Sequence, residues 1–200
     1  MIAPRAIIDL DALRHNLRCA RTFAPDTSLV AVIKANAYGH GGLAAALALE
    51  DSADALGVAR VAEGLELREA GVSKRIVVLE GFADRAELQA ADRLELDLAV
   101  HHPAQLALLE DYPARDSLVC WLKIDSGMHR IGFPPGKAAE TFHALTGMPC
   151  VRSVAAVMTH LASADDIEDP TTERQLARFD AVAAGLGKDE IGRASCRERV

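Results

Sequence analysis

The chain has 200 residues, of which half are apolar and 26% are charged, an ordinary composition for a globular domain. Its net charge of −7 and sequence pI near 5.5 argue against nucleic acid or an anionic membrane as the main partner. Aromatic residues make up only 4%, whereas Ala, Leu and Val are abundant. This balance favours helices packed on buried strands over a β-sandwich.

The N-terminal segment and the cysteines point to a cytoplasmic protein. Residues 1–5 lack the charged and apolar regions of a secretory signal, and the longest uncharged stretch, 35–49, is short for a membrane span. The cysteines are Cys19, Cys120, Cys150 and Cys196. Because they lie far apart with no Cys-x-x-Cys pair, the sequence predicts neither a zinc site nor a disulfide framework.

Short apolar runs recur along the chain with the length and the Val, Ile and Leu content of strands buried on both faces. The runs are 29–35, 55–59, 76–81, 97–100, 118–125 and 154–160. Segments with helical spacing separate them. The last such segment, 172–186, places four apolar side chains on one predicted face: Leu176, Phe179, Val182 and Leu186.

Strand–helix units that repeat at intervals of about 20–35 residues predict a parallel α/β architecture. Periodicity leaves open a closed TIM-type (β/α)8 barrel or an open doubly wound sheet. No Gly-x-Gly-x-x-Gly follows the first strand and no Gly-x-x-x-x-Gly-Lys-[Ser/Thr] occurs, which disfavours dinucleotide and nucleoside-triphosphate sites. As a barrel, the chain would hold about six of the eight units.

Lys34 closes the first apolar run and precedes a small, Gly-rich loop. Because a buried ammonium is costly, such a Lys either reaches a polar partner or serves as a desolvated amine that forms a Schiff base. The segment 31–41, Ala-Val-Ile-Lys-Ala-Asn-Ala-Tyr-Gly-His-Gly, closely resembles the pyridoxal-phosphate segment of the alanine racemase family. The resemblance implies that Lys34 carries pyridoxal 5′-phosphate and is one of two acid–base residues at the substrate Cα. It also implies that Tyr38 contacts the phosphate, whereas we assign His40 no chemistry.

A second segment, 122–132, resembles the same family and follows the fifth predicted strand. The resemblance makes Arg130 a ligand of the cofactor's phenolic oxygen and of the substrate carboxylate, roles that suit a planar, always charged guanidinium. Met128 would contact the substrate through its backbone. Lys123 matches a position that some family members carry as a carbamate, which would orient the Arg; an unmodified ion pair is the alternative.

A third segment, Val157-Met-Thr-His-Leu-Ala-Ser163, ends the sixth predicted strand and places His160 against the cofactor's pyridine ring by the same resemblance. Without it, a lone His on an apolar strand would be read as a core residue. The other histidines are scattered and lack ligand spacing, so no metal site is predicted. Lys34, Arg130 and His160 all fall at or beyond the carboxyl ends of predicted strands, where barrel enzymes place their sites.

The resemblance covers nearly all of residues 2–189 and about half of a full-length family member. It implies a pyridoxal-phosphate-dependent racemase that interconverts L- and D-alanine, for peptidoglycan precursor supply or alanine catabolism, and works as a homodimer. In the family, a Tyr from the partner subunit's C-terminal domain is the second acid–base residue. This chain has only Tyr38 and Tyr112, and neither matches that residue. We therefore expect the 200-residue chain to be inactive by itself.

Three segments are predicted, the first two of them implied by the resemblance. Residues 1–11 resemble an opening strand that pairs with a C-terminal β domain absent from this chain, and 12–189 form a partial pyridoxal-phosphate-binding (β/α)8 barrel. Residues 190–200 break the apolar periodicity and resemble the translation of a sequencing-library adapter, so they are predicted to be non-native.

Two other functions remain open at this stage. One is a pyridoxal-phosphate racemase of another small amino acid such as serine, because many pocket residues would lie outside this chain. The other is a non-catalytic barrel that only carries the cofactor. A plain structural α/β domain would require the Lys34 motif to be coincidental.

Overall fold

A computed structural model describes residues 5–186 and the backbone of residues 192–196. The chain divides into two compact units, Met1–Leu79 and Glu80–Val200. Within each unit, parallel strands alternate with helices.

The first unit contains a parallel sheet in the order β1-β2-β3. Its elements are α1 (Leu10–Phe23), β1 (Val30–Val32), α2 (Lys34–Tyr38), α3 (Gly42–Leu49), β2 (Ala55–Val58), α4 (Val61–Glu69) and β3 (Ile76–Val78). Strands β2 and β3 are buried along their whole length, and Leu56 and Ile76 have no exposed surface. Each such side chain stabilises the fold by about 1.5–3 kcal/mol through removal of apolar surface from water.

Helix α1 begins at Leu10 because Asp9 caps it. The Asp9 carboxylate accepts hydrogen bonds from the backbone N–H groups of Asp11 and Ala12, at 2.9 and 3.0 Å. Residues 10 and 11, which were predicted to belong to an opening strand, are therefore helical. Residues 5–9 contain no hydrogen-bonded strand, residues 1–4 lie outside the described ranges, and Ile7 is 90% exposed. The pairing of this segment with a further domain stays a prediction.

The second unit contains a parallel sheet in the order β4-β5-β6-β7. Its elements are α5 (Arg85–Arg93), β4 (Asp97–Val100), α6 (Pro103–Glu110), β5 (Leu118–Lys123), a 3-10 turn (Pro135–Lys137), α7 (Ala138–Thr146), β6 (Val151–His160), α8 (Thr171–Gly185) and β7 (Gly192–Cys196). Leu98, Leu122 and Val157, one from each of three neighbouring strands, are fully buried. These strands form the core that fixes the loops at their carboxyl ends.

The six predicted strands all occur; β4 has the predicted ends, and each of the other five has one or both ends shifted. Strand β1 ends at Val32 and not at residue 35, because the backbone turns left-handed from Ala35 onward. The predicted buried face of α8 is wrong in part. Phe179 is buried as expected, but Gln175 and Ala183 are buried, whereas the predicted Leu176 and Val182 beside them are only half-buried. A glutamine tolerates burial when its amide finds hydrogen-bond partners, as it does here.

Residues 192–196 form strand β7, which pairs in parallel with β6. The rest of the segment 190–200 lies outside the described residues, so its predicted non-native origin stays a prediction. Among the helices that the structure describes, none combines the length and apolarity that a membrane crossing requires. Within the same residues, no three His, Cys, Asp or Glu side chains come together as metal ligands would.

Candidate active site

Lys34 lies two residues beyond the carboxyl end of β1, at the first position of α2. The N–H of Ile33 donates to the carbonyl of Gly57 at 2.8 Å, so pairing with β2 extends to the residue just before Lys34. The side chain is half-buried, and its Nζ lies 5.9 Å from the centroid of the Tyr38 ring, within cation–π range. The structure thus brings together the two functional residues that the first motif predicts.

The turn after Lys34 has an unusual backbone. Residues 35–38, none of them glycine, have φ values of 51°, 57°, 52° and 54°. A left-handed helical conformation costs a residue with a Cβ roughly 1–2 kcal/mol, so four in succession store appreciable strain. The turn closes through hydrogen bonds from Ala37 N to Ile33 O at 2.8 Å and from Gly39 N to Ala35 O at 3.2 Å. Backbone strain of this kind concentrates at functional sites, where the surrounding fold must hold it.

Glu63 on α4 helps to hold the strained turn in place. Its carboxylate accepts the backbone N–H groups of Ala35 at 2.7 Å, Ala59 at 2.6 Å and Arg60 at 3.2 Å. One side chain therefore ties the segment after β1 to the segment after β2. Sequence reasoning missed Glu63, although an acidic residue in the first turn of a helix is the signal of a capping box.

Side chains within the motif itself also shape the turn. Asn36 Oδ1 accepts the N–H of Gly42 at 2.6 Å, and His40 Nδ1 lies 2.9 Å from the carbonyl of Ala37. His40 therefore makes a local contact that closes the turn. Asn36 was not singled out from the sequence, and only its hydrogen bond shows what it does.

The second unit gathers the remaining predicted residues in one place. Lys123, Met128, Arg130 and His160 line a single narrow crevice at the carboxyl ends of β5 and β6. Arg130 is exposed, Met128 and His160 are half-buried, and Lys123 is 4% exposed. A guanidinium that is exposed on a crevice wall can meet a small anionic ligand.

Two backbone hydrogen bonds join the two ends of the loop that carries Arg130, and we call this junction the neck of the loop. The N–H of Asp125 donates to the carbonyl of Phe133 at 2.9 Å, and the N–H of Phe133 donates to the carbonyl of Lys123 at the same distance. Gly132 has a φ of 133°, and a Cβ there would lie 2.6 Å from the backbone nitrogen of Asp125. Only glycine fits this position in the neck.

Asp125 organises the start of the same loop. Its Oδ1 accepts the backbone N–H groups of Gly127 at 2.9 Å and His129 at 3.0 Å. Burial acts to raise the pKa of the Asp125 carboxyl, but the hydrogen bonds from His129 and Gly127 outweigh it, so the pKa lies below its ordinary value. The carboxylate therefore shapes the turn.

The comparisons with known proteins agree on one family. The sequence profile described as "Alanine racemase, N-terminal domain" matches residues 8–197. The chain belongs to the alanine racemase family. It is 50% identical over 185 residues to the alanine racemase of Thioalkalivibrio sulfidiphilus, an alignment that covers 92% of this chain and 51% of that protein. The chain spans about half the length of the curated relatives it matches.

Solved alanine racemases share the fold. The biosynthetic alanine racemase of Pseudomonas aeruginosa superimposes with a TM-score of 0.84 at 38% identity, over 94% of this chain and 51% of that chain. The enzyme of Acinetobacter baumannii gives the same TM-score at 31% identity, over 94% and 55%. These matches confirm the predicted fold class: α/β, with about six βα units of a TIM-type (β/α)8 barrel.

Tyr112 lies in the loop between α6 and β5, and its side chain is buried. It is 8% exposed, and its hydroxyl donates to Asp92 Oδ2 at 2.8 Å. Burial, together with the Asp92 carboxylate, raises the pKa of Tyr112 to about 12. Because its proton is held by Asp92 and the phenolate scarcely forms near neutral pH, Tyr112 does not qualify as a second acid–base residue.

Proposed function

We propose that this chain is the N-terminal half of an alanine racemase, an isomerase that uses pyridoxal 5′-phosphate to interconvert L- and D-alanine. The complete enzyme would act in the cytoplasm as a homodimer. It would either supply D-alanine for peptidoglycan precursors or take part in alanine catabolism. Relatives that are named alanine racemase support this function. The observation that carries it is Lys34 beside Tyr38 at the end of β1, in a strained turn.

The residues present fit the cofactor. Lys34 carries, on a half-buried side chain, the primary amine that can bond covalently to an aldehyde. The Tyr38 ring, whose centroid lies 5.9 Å from that amine, carries the phenol that would contact the cofactor's phosphate. Arg130 would hold the cofactor's phenolic oxygen, and His160 would support the ring. When bound, pyridoxal phosphate supplies an electron sink for the charge that develops at the substrate Cα.

The chain's own residues would divide the work between binding and proton transfer. Lys34 would give a proton to, or take one from, Cα on one face of the substrate, as a general acid–base group must from within hydrogen-bond reach. Arg130 would bind the substrate carboxylate through its planar fork, with Met128 adding a backbone contact. Lys123 is buried and lines the same crevice as Arg130. As a carbamate it would be an anion that orients the guanidinium; an unmodified lysine in an ion pair with another group is the alternative.

A racemase also needs an acid–base residue on the opposite face of Cα. Tyr38 is assigned to the phosphate, and Tyr112 is buried with a raised pKa. We propose that the second residue comes from the C-terminal domain of a partner subunit. The 200-residue chain should accordingly bind the cofactor and fail to racemise alanine.

Covalent trapping tests the cofactor residue directly. Incubation of the chain with pyridoxal phosphate, followed by borohydride reduction, should add one cofactor mass to the peptide that contains Lys34. The variant Lys34→Ala should lose the adduct. The matched control Lys137→Ala removes an exposed lysine that pairs with Glu140 at 2.8 Å, and it should leave the Lys34 adduct unchanged.

Adduct spread evenly over the lysines, or unaffected by Lys34→Ala, would refute the assignment. Racemisation of alanine by the 200-residue chain alone would refute the need for a second subunit's residue. Turnover of serine in preference to alanine by the complete enzyme would replace the substrate and leave the cofactor assignment intact.

A further inference from the structure

Gln175 is a buried polar residue to which the reaction assigns no part. It lies on α8, is 1% exposed, and its amide faces the carboxyl end of β6. Nε2 donates to the carbonyl of His160 at 2.8 Å, and Oε1 accepts the N–H of Ala162 at 2.8 Å. These contacts fix the orientation of the amide, because a flipped amide would oppose donor to donor and acceptor to acceptor.

The second hydrogen of Nε2 starts a chain of hydrogen bonds into the Arg130 loop. Nε2 lies 3.4 Å from Ser126 Oγ, Ser126 Oγ lies 2.8 Å from Thr159 Oγ1, and Thr159 Oγ1 donates to the carbonyl of Ile124 at 2.9 Å. Since that last bond uses the only hydroxyl hydrogen of Thr159, Ser126 must donate to Thr159. The donors therefore run in one direction, from Gln175 to the neck of the loop.

Ser126 and Thr159 are as buried as Gln175, at 1% and 0% exposure. Water therefore cannot replace a lost partner without opening the structure, and a broken link leaves a polar group unsatisfied in the interior. Arg178, one turn further along α8, adds a bond from Nη1 to the carbonyl of Ser126 at 3.3 Å. Helix α8 thus holds both the strand end that carries His160 and the loop that carries Arg130.

We propose that Gln175 is a positioning residue that fixes Arg130 and His160 relative to each other through the Ser126–Thr159 hydroxyl pair. This inference rests on the proposed function for the meaning of those two side chains. Its physical content, a local brace on residues 124–132 and 160–162, stands on the contacts alone.

The test is hydrogen exchange on the full 200-residue chain with Gln175→Met, which keeps the side-chain volume and removes the hydrogen bonds. The protection of the amides of Asp125, Gly127, His129 and Ala162 should fall about tenfold, since local opening exposes them before the sheet unfolds. The side-chain NMR signals of Arg130 and His160 should shift in the same variant. The emission of Trp121, the single tryptophan, should stay native and so report an intact core.

Gln105→Met is the matched control. Gln105 is also buried, accepts the N–H of His101 at 2.8 Å and donates to the carbonyl of Phe82 at 3.1 Å. Its replacement should loosen the segments near Phe82 and His101 and leave the signals of Arg130 and His160 in place. Ser126→Ala, which removes one link, provides a milder variant if Gln175→Met fails to fold.

Unchanged exchange at residues 124–132, or unshifted signals of Arg130 and His160 in both Gln175→Met and Ser126→Ala, would overturn the proposal. Loss of protection that is uniform across the second unit in both variants would also overturn it, because that pattern is general destabilisation. Trapping of pyridoxal phosphate at Lys34 is measured separately, so failure of the proposed function and failure of the brace are distinguishable.

Discussion

Two loops carry the candidate site residues, and they are held in different ways. The segment 35–38 after Lys34 puts residues with side chains into left-handed conformations and relies on the Glu63 carboxylate to hold them. The loop 125–132 that carries Arg130 uses glycine at two of its three left-handed positions, with His129 at the other. It is braced by buried neutral groups from β6 and α8.

The difference separates two physical strategies for positioning a side chain. The first loop accepts backbone strain, so removal of a Cβ should relax it. The second loop has glycine at two of its three left-handed positions and is crowded, so addition of a Cβ at such a glycine should disrupt it. A glycine-to-alanine substitution in the second loop and an alanine-to-glycine substitution in the first therefore test the same comparison.

The largest effect is expected for Gly132→Ala. The new Cβ would lie 2.6 Å from Asp125 N and 2.8 Å from the carbonyl carbon of Ile124, at a φ that disfavours side chains. We expect a loss of about 3 kcal/mol in the free energy of unfolding, because backbone atoms cannot move aside as a flexible side chain can. Urea denaturation measures it.

Gly136→Ala is the control for that measurement, since a Cβ at this position meets nothing within 4 Å. It should change stability by less than about 0.5 kcal/mol, as substitutions at open surface positions usually do. Equal losses for the two variants would show that the neck of the Arg130 loop is not specially crowded.

A smaller effect of opposite sign is expected for Ala35→Gly. Relief of the left-handed strain at Ala35 should outweigh the extra chain entropy of glycine and raise stability by about 0.5–1 kcal/mol. The same exchange at Ala144, an exposed position in the right-handed helix α7, should lower stability by about 1 kcal/mol. Thermal denaturation of the pair checks the sign, and destabilisation by both would contradict the strained turn.

The smallest effect concerns pH. Folding lowers the pKa of Asp125 from 3.8, so its carboxylate stabilises the second loop fully above that value. The contribution is lost as the pH falls through the lower pKa of the folded state. An NMR titration should show the Asp125 carboxyl and the Gly127 amide moving together below pH 3.8. Asp125→Asn should abolish the amide transition, and a midpoint at or above 3.8 would contradict the hydrogen-bonded turn.

Much of the fold was predictable because strands in a parallel sheet are buried on both faces. Their apolar runs stand out, and all six were found from residue type and length alone. The buried face of α8 was not, because hydrophobic periodicity cannot recognise a buried glutamine. Gln175, Phe179 and Ala183 do follow one another at helical spacing, and a polar residue within such a stripe is the signal to look for.

Among the site residues, the sequence by itself determined those that are proposed to meet a ligand. Lys34, Tyr38, Arg130 and His160 belong to motifs whose residue types are dictated by chemistry, and chemistry is visible in sequence. Only the tertiary structure decided which side chains hold them, because Glu63 and Gln175 act on backbone groups that are distant along the chain. Any residue offers the same N–H and C=O groups, so these contacts leave little trace in residue identity. The left-handed turn after Lys34 could not be predicted for a similar reason. Its strain resides in backbone dihedral angles, and the presence of alanine in a sequence does not indicate a positive φ.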